Sequence, residues 1–138
     1  MTRPRPLELA SLLALVALAA LPGCGEAEAQ EPVEVGLADL PCASDPADGD
    51  LWETAPFPPA TDGETCAWLA YESDTTYRIA HPLGRVPRAV HAYVSFHADG
   101  RSSTPLSGDV TRIVSVTDTA VEIRNGQGAD FFLRLVVE

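Results

Sequence analysis

Arg88-Ala89-Val90-His91-Ala92-Tyr93-Val94-Ser95-Phe96-His97-Ala98 is the stretch whose reading decides the fold class. Val90, Ala92, Val94 and Phe96 alternate with His91, Tyr93, Ser95 and His97. A period of two sets the apolar group on one face of an extended strand and the polar group on the other. Asp99-Gly100 follows with turn chemistry. Outward from this strand the same period recurs. Cys66, Trp68 and Ala70 alternate with Ala67, Leu69 and Tyr71, and Tyr77 and Ile79 alternate with Thr76, Arg78 and Ala80. Val110 to Val116 is rich in β-branched residues, Val121 and Ile123 alternate with Glu122 and Arg124, and Asn125-Gly126 reads as a turn. In the last segment Phe131, Leu133, Leu135 and Val137 form an inner face opposite Phe132, Arg134, Val136 and Glu138. No stretch beyond Leu21 has a 3.6-residue period. The expectation is an all-β domain over residues 65–138, a small antiparallel β-sandwich or barrel of about six strands.

The N-terminus reads differently. Arg3 and Arg5 form a cationic leader, and Leu9 to Leu21 is a charge-free run with Ser11 its only polar member. As a helix the run would span about 20 Å, short of the hydrocarbon core of about 30 Å, so it suits an export signal better than an anchor. Leu21-Pro22-Gly23-Cys24 resembles the lipobox of bacterial lipoprotein precursors, with Pro22 where that family usually has Ala, Ser or Thr. The resemblance implies a signal peptide over residues 1–23, a diacylglyceryl group on Cys24, and a place in the bacterial cell envelope with the membrane as partner. Gly25 after the cysteine resembles outer-membrane sorting and leaves the leaflet open.

Three cysteines in an exported chain leave one unpaired. With Cys24 lipidated, Cys42 and Cys66 remain as a disulfide in an oxidising compartment. Closing a loop of about 25 residues would stabilise the fold by roughly 3–4 kcal/mol. Zinc is the rival use, and the absence of Cys-x-x-Cys or His-x-x-x-His spacing argues against it.

The 138-residue chain carries 20 acids against 9 bases, all arginine, for a net charge of -11. That balance excludes a general nucleic-acid binder. The acids are unevenly spread: Gly25 to Thr76 has thirteen and no base, whereas Tyr77 to Glu138 has six and seven arginines. Residues 24–41 read as a disordered, lipidated acidic tether, and residues 42–64 as an irregular Pro- and Gly-rich flap held by the disulfide and by Trp52.

His81-Pro82-Leu83-Gly84-Arg85-Val86-Pro87-Arg88 and the strand after it resemble a segment of phage tail and tail-fibre β-sandwich domains. Those carry a His-Gly-Leu-Gly-x-x-Pro turn between two core strands, and Val116 to Asn125 also fits; Pro82 stands where the usual residue is Gly. The resemblance implies a β-sandwich with an adhesive or structural role and transfers no catalytic residue.

Candidate chemistry is sparse. The histidines read as surface side chains. His91 and His97 share a face, but six residues of strand put them about 20 Å apart, too far to ligate one ion. Ser95, His97 and Asp99 sit about 7 Å from one to the next along the strand, too far for a nucleophile–base hydrogen bond. Asp45-Pro46-Ala47-Asp48-Gly49-Asp50 groups carboxylates around a glycine, as calcium requires, without the spacing of a twelve-residue calcium loop. The expected function is a lipid-anchored, non-enzymatic binding or structural module. It needs no cofactor or metal, and meets a protein or glycan partner through His91, Tyr93 and His97. The alternatives are a small periplasmic hydrolase using His91 or His97, and a calcium-binding surface protein using Asp45–Asp50.

Overall fold

The computed structural model describes residues 30–46, 50–57 and 66–138. The segment expected to be a signal peptide, the expected lipidation site Cys24 and the middle of the Asp45–Asp50 loop lie outside the described residues. Nine strands occur among them: β1 (Val33–Val35), β2 (Trp52–Glu53), β3 (Leu69–Tyr71), β4 (Thr76–Ala80), β5 (Val90–Ser95), β6 (Thr104–Pro105), β7 (Arg112–Val116), β8 (Ala120–Arg124) and β9 (Phe131–Val137). One sheet runs β1-β4-β8-β7, and the other runs β2-β9-β5-β6 with β3 also on β9. Every pairing is antiparallel except β1 on β4. The chain is all-β, and the sheets do not close into a barrel.

Alternation builds the core. Tyr77 and Ile79 of β4 and Val121 and Ile123 of β8 point inward from the first sheet. Ala92 and Val94 of β5 and Leu133, Leu135 and Val137 of β9 point inward from the second. All pack in one cluster with Trp52 and Tyr71, and the Tyr71 and Tyr77 rings meet between the sheets with centroids 5.3 Å apart. Asn125 crosses the same gap as a polar tie. Its Nδ2 donates to the Tyr71 carbonyl at 3.2 Å and to the Ala129 carbonyl at 2.9 Å. Its Oδ1 accepts from the Gln127 amide at 3.1 Å, so a fully buried amide is left without an unmet group.

The six strands read from the sequence correspond to β3, β4, β5, β7, β8 and β9. The other three are two or three residues long, too short for a period to show. One of them changes the tether. Val33–Val35 pairs in parallel with Tyr77, Arg78 and Ile79, and Val35 and Leu40 enter the core. Residues from Val33 onward therefore belong to the folded domain rather than to a solvated linker. Two apolar positions flanking Glu34 find the open edge of β4, and Glu34 pairs across from Arg78. A second difference concerns Phe96. It is 72% exposed because β5 ends at Ser95, and its ring leans on Phe131 with centroids 5.0 Å apart.

The disulfide between Cys42 and Cys66 is formed, with Cα atoms 5.6 Å apart. The flap it closes is ordered around β2. Ser44 and Glu53 bond twice, through the Ser44 amide to the Glu53 carbonyl at 2.9 Å and the Glu53 amide to the Ser44 hydroxyl at 2.8 Å. Thr54 then fills the gap on β9 between β2 and β3. Its amide donates to the Leu135 carbonyl at 3.1 Å, and its hydroxyl accepts from the Leu135 amide at 3.0 Å.

Candidate functional site

Outward-facing positions of β5 and β9 meet on the face of the second sheet that turns away from the core. The register sets His91 opposite Val136, Tyr93 opposite Arg134 and Ser95 opposite Phe132. On an exposed sheet such a row would be solvated. Here the flap folds over its centre. The Arg134 side chain is buried, donating from Nε to the Ala55 carbonyl at 2.8 Å and from Nη2 to Glu53 Oε2 at 2.8 Å. Its guanidinium carbon also lies 5.2 Å from the Tyr93 ring centre and 5.5 Å from that of Phe57. A buried charge is tolerable only when paired and hydrogen-bonded, and the flap supplies both. The two rings add cation–π attraction of about 0.5–2 kcal/mol each.

The three residues expected to form one binding face are placed differently. Tyr93 is half-buried beside Arg134. His91 is exposed near the end of the row, with Nε2 3.3 Å from Glu138 Oε1. His97 lies beyond the end of β5, where its Nδ1 is 3.4 Å from Arg101 Nη2. A guanidinium only donates, so Nδ1 accepts and the imidazole proton sits on Nε2. The Ser95 hydroxyl is buried and already engaged, donating to the Arg101 carbonyl at 2.7 Å and accepting the His97 amide at 2.9 Å. Ser95, His97 and Asp99 therefore form a local turn lock. The acid that reaches His91 is the terminal Glu138, and both are about half exposed.

No group of three or more His, Cys, Asp or Glu side chains placed to hold a metal occurs among the described residues. Asp50, at the end of the carboxylate loop, is paired with Arg85 at 3.1 Å. A half-open cleft of about 300 Å³ lies against the disulfide, lined by Asp39, Leu40, Thr54, Trp68 and Ala70 among others. None of His91, Tyr93 and His97 reaches it.

The chain matches no family model, no curated protein and no solved structure. Its residues have to speak for themselves, and two that matter were not singled out by the sequence. Arg134 looked like an ordinary outward position; the available signal was a lone cation among Phe, Leu and Val, with an unmatched acid beside Trp52. His81, expected at the surface, is 4% exposed. Its Nε2 lies 3.2 Å from the Thr117 carbonyl, its Nδ1 is buried without a partner, and its ring centre is 6.4 Å from that of Trp52. Burial pushes its pKa below the ordinary value. The Thr117 carbonyl and Asp118 pull the other way, and Arg85 adds to the lowering.

Tyr71 carries a second unpartnered buried group, its hydroxyl. Burial drives that phenol far above the usual range, with Tyr77 adding to it. Tyr77 is raised mainly by burial as well, although its hydroxyl oxygen accepts the Glu72 amide at 2.9 Å. Both rings are neutral core members at any physiological pH.

Proposed function

We propose that the protein is an exported, lipid-anchored, non-enzymatic module that presents a small β-sandwich to a protein or glycan partner near the bacterial surface. The contact face is the outer side of β5 and β9. The observation that carries this reading is the Tyr93–Arg134–Phe57 arrangement. An aromatic pair fixed by a buried arginine that is itself bonded to Ala55 and Glu53 is a rigid amphipathic surface, the kind that contributes most to recognition for the least ordering cost. His91 and Glu138 supply polar groups at its margin.

Location rests on the Leu21-to-Cys24 lipobox. With β1 beginning at Val33, only residues 24–32 separate the lipid from the domain, a reach of about 30 Å when extended. Glu26, Glu28 and Glu31 in that span are repelled by anionic headgroups, which favours standing off the membrane.

Two measurements test the proposal. Labelled palmitate fed to a bacterial host expressing the full chain is expected to enter the protein and to be lost in Cys24→Ser; label persisting in the variant overturns the anchor. A photo-crosslinking side chain placed at Tyr93, and in a parallel strain at the opposite-sheet position Arg78, tests the face. An adduct formed at position 93 and absent at 78 supports it. Adducts at both positions, or at neither, overturn it.

A further inference from the structure

His81 sits where three parts of the molecule meet. It follows directly on β4, and its amide donates to the Thr119 carbonyl at 2.9 Å. Its ring bonds the Thr117 carbonyl in the β7–β8 turn and packs beside Trp52, the side chain that seats the flap in the core. The charged groups that bear on it are Asp118 in that turn and Arg85 in the β4–β5 connection. Arg85 is itself bound to the flap, through the Asp50 carboxylate at 3.1 Å and the Asp50 carbonyl at 3.1 Å.

The geometry points to an acid-released clasp: His81, neutral and enclosed between Trp52 and the β7–β8 turn, holds the flap against the second sheet and lets it go when the imidazole takes a proton. In the closed state only one ring nitrogen has a partner. With Nε2–H donated to Thr117, Nδ1 is a buried lone pair without a partner. Protonation would turn that lone pair into an N–H with no acceptor and bury a cation near Arg85, offset in part by the Thr117 carbonyl and Asp118 in the turn. The ring must leave to be solvated, and Trp52 loses its neighbour. The segment that then lifts is the one holding Glu53, Ala55 and Phe57 over Arg134 and Tyr93. The clasp stands on the flap geometry alone; its consequence, dismantling the Tyr93–Arg134–Phe57 contact face in acid, rests on the function proposed above.

The direction follows from linkage. Above the ordinary histidine value of 6.5 neither the closed nor the open state binds the proton, and closure is insensitive to pH. Below it the open state is protonated first. Closure therefore weakens about tenfold per pH unit until the lowered closed-state value is passed.

Native-state hydrogen exchange on the full chain tests this, with the Thr54 amide reporting the flap and the Val121 amide reporting the core. Below pH 6.5 the Thr54 protection factor is expected to fall, by up to about tenfold per unit, and to stay below that of Val121, whose global opening frees His81 as well and carries the same pH dependence. In His81→Phe, or in His81→Gln should the first not fold, the Thr54 factor is expected to be flat. A flat wild-type profile, equal protection at Thr54 and Val121, or an unchanged decline in either variant overturns the clasp. Histidine-ring NMR of the wild type provides a check independent of any variant. The His81 ring must convert where the Thr54 decline levels off, and a ring that converts at the ordinary value of 6.5 overturns the assignment. The crosslinking result at Tyr93 is read separately, so a face that fails and a clasp that fails give different outcomes.

Discussion

Single side chains carry much of the specificity. Gly100 has φ +74°, and a Cβ there would come within 2.3 Å of the Trp68 indole. Gly84 has a similar φ of +63° with open space around it. The two glycines thus separate backbone strain from a steric clash. Gly84→Ala is expected to cost about 1–2 kcal/mol from the left-handed conformation alone. Gly100→Ala adds displacement of a buried indole, for about 2–4 kcal/mol and a Tm fall of roughly 8 °C or more. Equal losses in thermal melts of the two variants would show that Trp68 does not press on that turn. Asn125 works in the opposite sense: with both ends of its amide bonded, it ties the β8–β9 turn to β3 where an apolar side chain would leave two carbonyls bare.

At the scale of elements, the flap is the part whose order has to be explained, because its own sequence is poor in apolar residues and rich in proline. Besides the His81 clasp and the Arg85–Asp50 pair, it is held by the Cys42–Cys66 bridge, the Thr54 exchange with Leu135 and the Glu53–Arg134 pair. The ion pair can be weighed by asking which partner is worse to lose. Glu53→Ala leaves a guanidinium buried with its charge unmatched, at a cost of about 2–4 kcal/mol. Arg134→Met keeps apolar bulk under the flap and leaves Glu53, which retains some contact with water, so its cost is expected to be smaller, about 1–2 kcal/mol. Urea unfolding of the two single variants and the double variant checks this through a coupling energy of about 1–3 kcal/mol. Additive losses would mean the pair is not coupled.

For the whole molecule the disulfide matters because the core is small. About a hundred described residues share one apolar cluster between two short sheets, a size at which burial alone leaves a thin margin. The bridge closes a loop of about 25 residues, so Cys42→Ala with Cys66→Ala is expected to lower stability by about 3 kcal/mol, read as a lower urea midpoint with a steeper slope, because the unlinked denatured chain exposes more surface. Non-reducing mass spectrometry of the chain lacking its leader should show two protons fewer than the reduced form. Two alkylatable thiols in that sample would contradict the bridge.

The sequence by itself determined the fold class. Alternation in Val90 to Ser95 and in Phe131 to Val137 is long enough to survive without neighbours, because each residue's facing depends only on strand geometry. With Cys24 set aside by its resemblance to a lipobox cysteine, cysteine arithmetic likewise left Cys42 to pair with Cys66, and the structure forms that bridge. What only the tertiary structure decided was who meets whom across the gaps. Val33–Val35 became a strand because the edge of β4 was open beside it. Phe96 lost its place in the core because β5 stopped one residue earlier. The polar face of β5 was divided because the flap returned over Arg134, and His81 was buried because the β7–β8 turn and Trp52 closed around it. Those outcomes depend on contacts between residues tens of positions apart, and a local period carries no information about them.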